Sequence, residues 1–168
     1  MKKIASVAFS LLLLGAVAMA ANPDQPVDAQ AAFAKLKTLA GEWQAETPKG
    51  RAQVSYELIA GGSVLLERDS MPGEGAMITA YHLDGDQLVL THYCMAGNQP
   101  HMVAQRFDAQ SGELEFVLDG GSNLNAGPGH MRDARFHVIS ANRLDAEWNF
   151  LKNDNTRVTE ALHYTRVK

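Results

Sequence analysis

The residues best equipped for chemistry sit in alternating stretches of the 168-residue chain. Leu88, Leu90, His92 and Cys94 share one face of the segment from Gln87 to Met95, with Val89, Thr91 and Tyr93 on the other. His92 and Cys94, two apart, could both reach one metal ion, and His101 follows after a loop. Two ligands and a third across a loop are a thin set, and a histidine satisfied by one hydrogen bond is the commoner use of such a position. Arg135 and His137 alternate with Ala134, Phe136 and Val138, and the apolar trio should define the packed side. An even-numbered turn at Ala141-Asn142 would instead bring Arg135 and His137 to the side of Trp148. There they would form a cationic patch suited to a carboxylate.

Glu57, Glu67 and Glu115 alternate with apolar neighbours and read as a solvated outer face, and His82 as a residue in touch with water. Met71, Met77, Met95, Met102 and Met131 are numerous for a chain of this pattern. Flexible thioethers suit an adaptable apolar pocket, although ordinary core filling is their more frequent use. No nucleophile elbow, zinc-protease helix, phosphate loop or dinucleotide fingerprint appears, and Gly61-Gly62-Ser63 reads as a hairpin turn. With 15 basic against 19 acidic residues, the net charge of −4 gives no electrostatic reason to bind nucleic acid.

These side chains need a frame, and its start reads as an export signal. Lys2 and Lys3 precede an apolar run from Ile4 to Val17, and Ala18-Met19-Ala20 supplies the small-x-small pattern of a cleavage site. The expected organisation is a cleaved signal peptide over 1–20, a leader and short helix over 21–40, and one barrel domain over 41–168. The run is short for a membrane span, so no integral membrane segment is expected after cleavage and the protein should be periplasmic or secreted. Cys94 is the sole cysteine, so no intramolecular disulfide can form and stability must come from the core.

Asp28 can cap a short helix running to about Ala40, with Phe33, Leu36 and Leu39 on one face and Gly41 as its stop. The period then becomes alternating. Ten strand-like segments follow, with explicit turns at Thr47-Pro48-Lys49-Gly50, Asp84-Gly85-Asp86, Gln110-Ser111-Gly112 and Asn153-Asp154-Asn155. Connections this short force antiparallel pairing. Two are longer, Met95 to Pro100 and Gly120 to Gly129, the second able to line a rim or to move as a lid. A meander of ten strands hides both edges by closing, so the expected fold is all-β, a closed antiparallel up-and-down barrel with a short N-terminal helix. Such a barrel is usually wide enough to leave an interior cavity.

Leu39-Ala40-Gly41-Glu42-Trp43, where the helix meets the first strand, resembles the Gly-x-Trp opening of the calycin barrels, which include lipocalins, fatty-acid-binding proteins and nitrobindins. The resemblance implies that Trp43 closes one barrel end and that Arg166 packs over its ring, with Gly41 at the junction. The likeness is nearest to nitrobindin-like barrels and their exported bacterial relatives, since the helix precedes the first strand and ten strands exceed the eight of a lipocalin. It implies haem as a cofactor, with His163 as the metal ligand on the last strand. If Asn153-Asp154 forms a two-residue turn, Trp148 pairs with Thr159 and His163 shares the face of Trp148; an odd count turns His163 to solvent.

The function expected from these observations is binding of a small apolar or amphipathic molecule, with His163, His92, Arg135, His137 and Trp148 as ligand-contacting residues. A barrel-interior isomerase or hydrolase, or an envelope interaction protein with an incidental cavity, are the alternatives.

Overall fold

A computed structural model describes residues 26–167, so the expected signal peptide and the first leader residues lie outside the described residues. Helix α1 spans Ala29–Lys37, and the Asp28 carboxylate caps it by accepting from the Ala31 N–H at 2.9 Å. Its buried face is Ala29, Ala32, Phe33 and Leu36. The helix ends near Thr38, earlier than the sequence suggests. Gly41 is the first residue of the sheet rather than a helix stop, at a φ of 132° that favours glycine.

Ten strands follow: β1 Gly41–Thr47, β2 Gly50–Ile59, β3 Val64–Ser70, β4 Met77–Asp84, β5 Gln87–Tyr93, β6 Gln99–Asp108, β7 Glu113–Ser122, β8 Gly129–Ser140, β9 Arg143–Lys152 and β10 Arg157–Arg166. Each pairs antiparallel with its chain neighbour, and β1 pairs with β10, so the sheet closes with no free edge. This closed up-and-down barrel of ten strands with a short N-terminal helix is consistent with a generic calycin-like fold. The long glycine-rich loop is shorter than its sequence implies, because Gly120, Gly121 and Ser122 extend β7 against His101, Pro100 and Gln99.

One barrel end is sealed by α1, which packs against β4 and β5. Trp43 donates its indole N–H to the Leu39 carbonyl at 2.7 Å, and the Arg166 guanidinium lies 4.1 Å from the centre of its ring. The same guanidinium donates to the carbonyls of Ala141, Ala40 and Thr38 at 2.6, 2.6 and 2.7 Å. One side chain thus ties the last strand, the β8–β9 turn and the end of the helix segment together.

The lumen is not hollow through its middle. Tyr81, Phe116 and Phe136 stack edge to face with centroids 5.9 to 6.1 Å apart, and Phe136 meets Trp148 at 5.7 Å. Leu65, Leu90, Met102 and Leu144 fill the space around them. The wide cavity expected from strand number is therefore corrected: aromatic side chains span the middle, and a small interior cavity lined by His92 and Trp148 lies toward the end away from α1.

Two local features decide which residues face inward. Asn153, Asp154 and Asn155 form a three-residue turn, with Asn155 at a φ of 65° and the Lys152 N–H donating to Thr156. That odd count pairs Trp148 with Glu160. At the β8–β9 hairpin the turn is even, yet a bulge between Val138 and Ser140 restores the opposite parity and sets Ala134 against Trp148.

Candidate functional site

Consecutive pairings carry one interior row across four strands: Tyr56 on β2 faces Glu67 on β3, which faces Thr79 on β4, which faces His92 on β5. All four are buried. The Tyr81 hydroxyl donates to Glu67 Oε2 at 2.6 Å, and Tyr56 acts on the same carboxyl. Burial pushes the Glu67 carboxyl up to about 8, the nearby Asp69 charge adding to the effect while the tyrosine hydrogen bonds oppose it. At neutral pH this residue holds its proton. The outer-face reading of Glu67 is thus overturned, because Leu65, Glu67 and Asp69, not Leu66 and Arg68, point into the barrel.

His92, only 2% exposed, bonds through Nδ1 to Thr79 Oγ1 at 2.9 Å. Its ring centre lies 5.2 Å from that of Trp148. Burial holds its pKa down to about 4, so the imidazole is neutral at physiological pH. Its Nε2 is fully buried and has no hydrogen-bond partner. An orphan buried nitrogen costs free energy of order 1–3 kcal/mol unless something supplies a partner.

His92 also lines a cavity of about 20 Å³, room for one water-sized group. His92, Trp148, Met71, Met77 and Met131 line it from the soft side. Glu67, Asp69, Glu160 and Tyr164 line it with oxygen. Burial raises the Asp69 and Glu160 carboxyls from their ordinary values, and burial lifts Tyr164 beyond the ordinary phenol range.

Above the cavity, Asn98 holds the mouth. Its side-chain amide donates to the carbonyls of Ala126 and Gly129 at 3.3 and 2.7 Å, joining the β5–β6 and β7–β8 connections. Gly129 has no room for a Cβ, which would strike the Leu151 carbonyl. Cys94, half-buried, lies in the same rim and receives the Ala96 N–H on its sulfur at 3.5 Å.

The residues singled out from sequence divide into two groups. His92 and Trp148 meet inside the barrel. Arg135, His137 and His163 come together outside it, along a groove of about 400 Å³ on the outer face of β7 to β10. Arg135 pairs with Glu115 at 3.1 Å and Arg106 with Glu113 at 3.5 Å, and His163 Nδ1 lies 2.8 Å from Asp145 Oδ1. The groove is larger than the interior cavity but, among the described residues, none of its lining side chains has a buried polar atom without a partner. The interior is the better candidate.

A haem does not fit this interior. His163 faces away from it, opposite Asp145, and a cavity of about 20 Å³ is far below the few hundred that a cofactor of that size needs. Among the described residues no cluster of three or more His, Cys, Asp or Glu side chains is arranged to hold a metal, and His101 and Cys94 do not join His92 at the cavity. Sequence reasoning missed Glu67, Asp69 and Glu160. The signal was available only by counting pairings from Tyr56 through three hairpins to His92. No family model matches the chain, and no curated protein matches it.

Proposed function

We propose that the protein is an exported binding barrel that takes a small ligand through the end opposite α1 and seats it against His92. The observation that carries this reading is the buried, unpartnered Nε2 of His92, a residue lining a cavity that methionines can enlarge by changing rotamer. The interior offers a ligand a neutral imidazole, a protonated Glu67 and an indole face. The cationic patch expected from Arg135 and His137 lies on the other side of the sheet, so affinity for a fatty-acid carboxylate is not part of the proposal. Export rests on the pattern of residues 1–20, and the nitrobindin-like kinship on Gly41, Trp43 and Arg166 at the closed end of ten strands. The test is native mass spectrometry of the protein taken from its own exported compartment. An added mass that is absent from His92→Leu supports binding at this site; bare polypeptide in both contradicts it.

Acid–base catalysis is a second reading, favoured by one observation: a single cavity holds a carboxyl raised to about 8 and an imidazole lowered to about 4. Groups split this way supply a proton donor and a proton acceptor at the same pH. Turnover of a small substrate, abolished by both Glu67→Gln and His92→Gln, would favour it over simple binding.

A further inference from the structure

The cavity lining has a chemistry narrower than that of a general ligand site. Met71 and Met77 are buried and Met131 is partly so, and all three line one small space together with His92, whose Nε2 has no partner. We infer that this space is a site for a single soft monovalent metal ion of the Cu(I) class, held by His92 Nε2 and the methionine thioethers. The inference rests on the binding-barrel reading above and names its ligand.

Size is the first argument. A cavity of about 20 Å³ has room for one ion, whereas an organic body needs the methionines displaced. Donor type is the second. Neutral thioether sulfur is a poor ligand for Mg²⁺, Ca²⁺ or Zn²⁺ and a good one for Cu(I), and imidazole completes the set. Among the described residues no group of three hard or borderline ligands competes for such an ion.

Orientation is the third argument. In the tautomer that donates Nδ1–H to Thr79 Oγ1, the Nε2 of His92 carries the lone pair, the second-shell arrangement that fixes a metal-binding imidazole. The surroundings are the fourth. Glu67, Asp69 and Glu160 line the same space with no Lys or Arg in the lining, so an entering cation meets oxygen atoms and no cationic side chain there. The Trp148 ring beside the imidazole adds a π face that attracts a cation.

The experiment uses the chain carrying Cys94→Ser, because a rim thiol is itself a soft ligand. Ag(I) in air and Cu(I) under anaerobic conditions are titrated while native mass and tryptophan emission are followed. The expected result is uptake of one ion per chain with quenching of Trp148, and no displacement by excess Zn(II). Leucine matches methionine in volume, so Met71→Leu, Met77→Leu and Met131→Leu should leave the fold intact. Each should weaken Ag(I) about 10-fold, and the triple variant about 100-fold or more, judged on samples with unchanged circular dichroism. If the triple variant does not fold, the single variants carry the test. No uptake by the folded protein, uptake unaffected by the leucines, or displacement by Zn(II) each overturns the inference. A protein that takes no Ag(I) yet leaves its compartment with an organic mass refutes the ion and keeps the binding barrel; one with neither refutes both.

Discussion

The rings of His92 and Trp148 meet with centroids 5.2 Å apart, although their strands stand four places apart in a closed ring of ten. The contact crosses the lumen. It separates a lower interior packed with aromatic and aliphatic side chains from an upper chamber that holds the buried carboxyls and methionines. The chemistry of the molecule is thereby confined to one end, while α1 and Arg166 close the other.

Glu67 and His92 should tilt stability in opposite directions. Folded Glu67 keeps a proton that the unfolded chain releases above about pH 4.5, so its contribution falls as pH rises from 4.5 to 8. Neutral His92 contributes stability that is present above its ordinary value of 6.5 and is lost as pH falls toward 4. The two effects cancel between 4.5 and 6.5 and leave a decline from 6.5 to 8, with a slope approaching about 1.4 kcal/mol per pH unit. Urea unfolding across this range checks it. Glu67→Gln should abolish the decline, and His92→Gln should extend it down to pH 4.5.

Arg166→Ala should destabilise the barrel by about 3 kcal/mol, since it removes charge-assisted bonds to three carbonyls and a contact with Trp43. Arg166→Lys should recover less than half, because an ammonium cannot stack and fork at once. Chemical denaturation measures both. Equal stability of Arg166→Ala and wild type would contradict the latch.

The strands, their order and the closing of the sheet were legible in the sequence, because short Gly- and Asn-rich turns between alternating segments leave an antiparallel meander no other topology. Facing was not. Three residues at Asn153–Asn155 instead of two send His163 outward, and one extra residue near Ile139 does the same for Arg135 and His137. Parity decided by a single residue of turn or bulge leaves little trace in the hydrophobic pattern of β3, β8 or β10. Glu67 was obscured for the same reason: Leu65 and Leu66 are adjacent, so either face of β3 satisfies alternation.

Hemin should give no Soret change that depends on His163. His163→Ala should leave the hemin titration unaltered and shift stability by no more than about 0.5 kcal/mol, as for an exposed hydrogen bond with Asp145. Absorbance titration of the two proteins decides this. A Soret shift lost in the variant would place a haem ligand on the outer face and overturn the interior assignment.

Asn98→Ala should loosen the mouth by leaving the carbonyls of Ala126 and Gly129 without their donor. The expected cost is about 2 kcal/mol, accompanied by faster hydrogen exchange confined to the β5–β6 and β7–β8 connections. Exchange that rises uniformly over all strands would show that Asn98 acts on the whole barrel instead.

The central claim is that the site lies inside, at His92, and not in the larger outer groove. Crystals soaked in a silver salt and measured for anomalous scattering test it most directly. The account expects one strong peak within bonding distance of His92 Nε2 and the sulfurs of Met71, Met77 and Met131. A peak at His137 and His163 on the outer face, or at Cys94 alone with the interior empty, would contradict it.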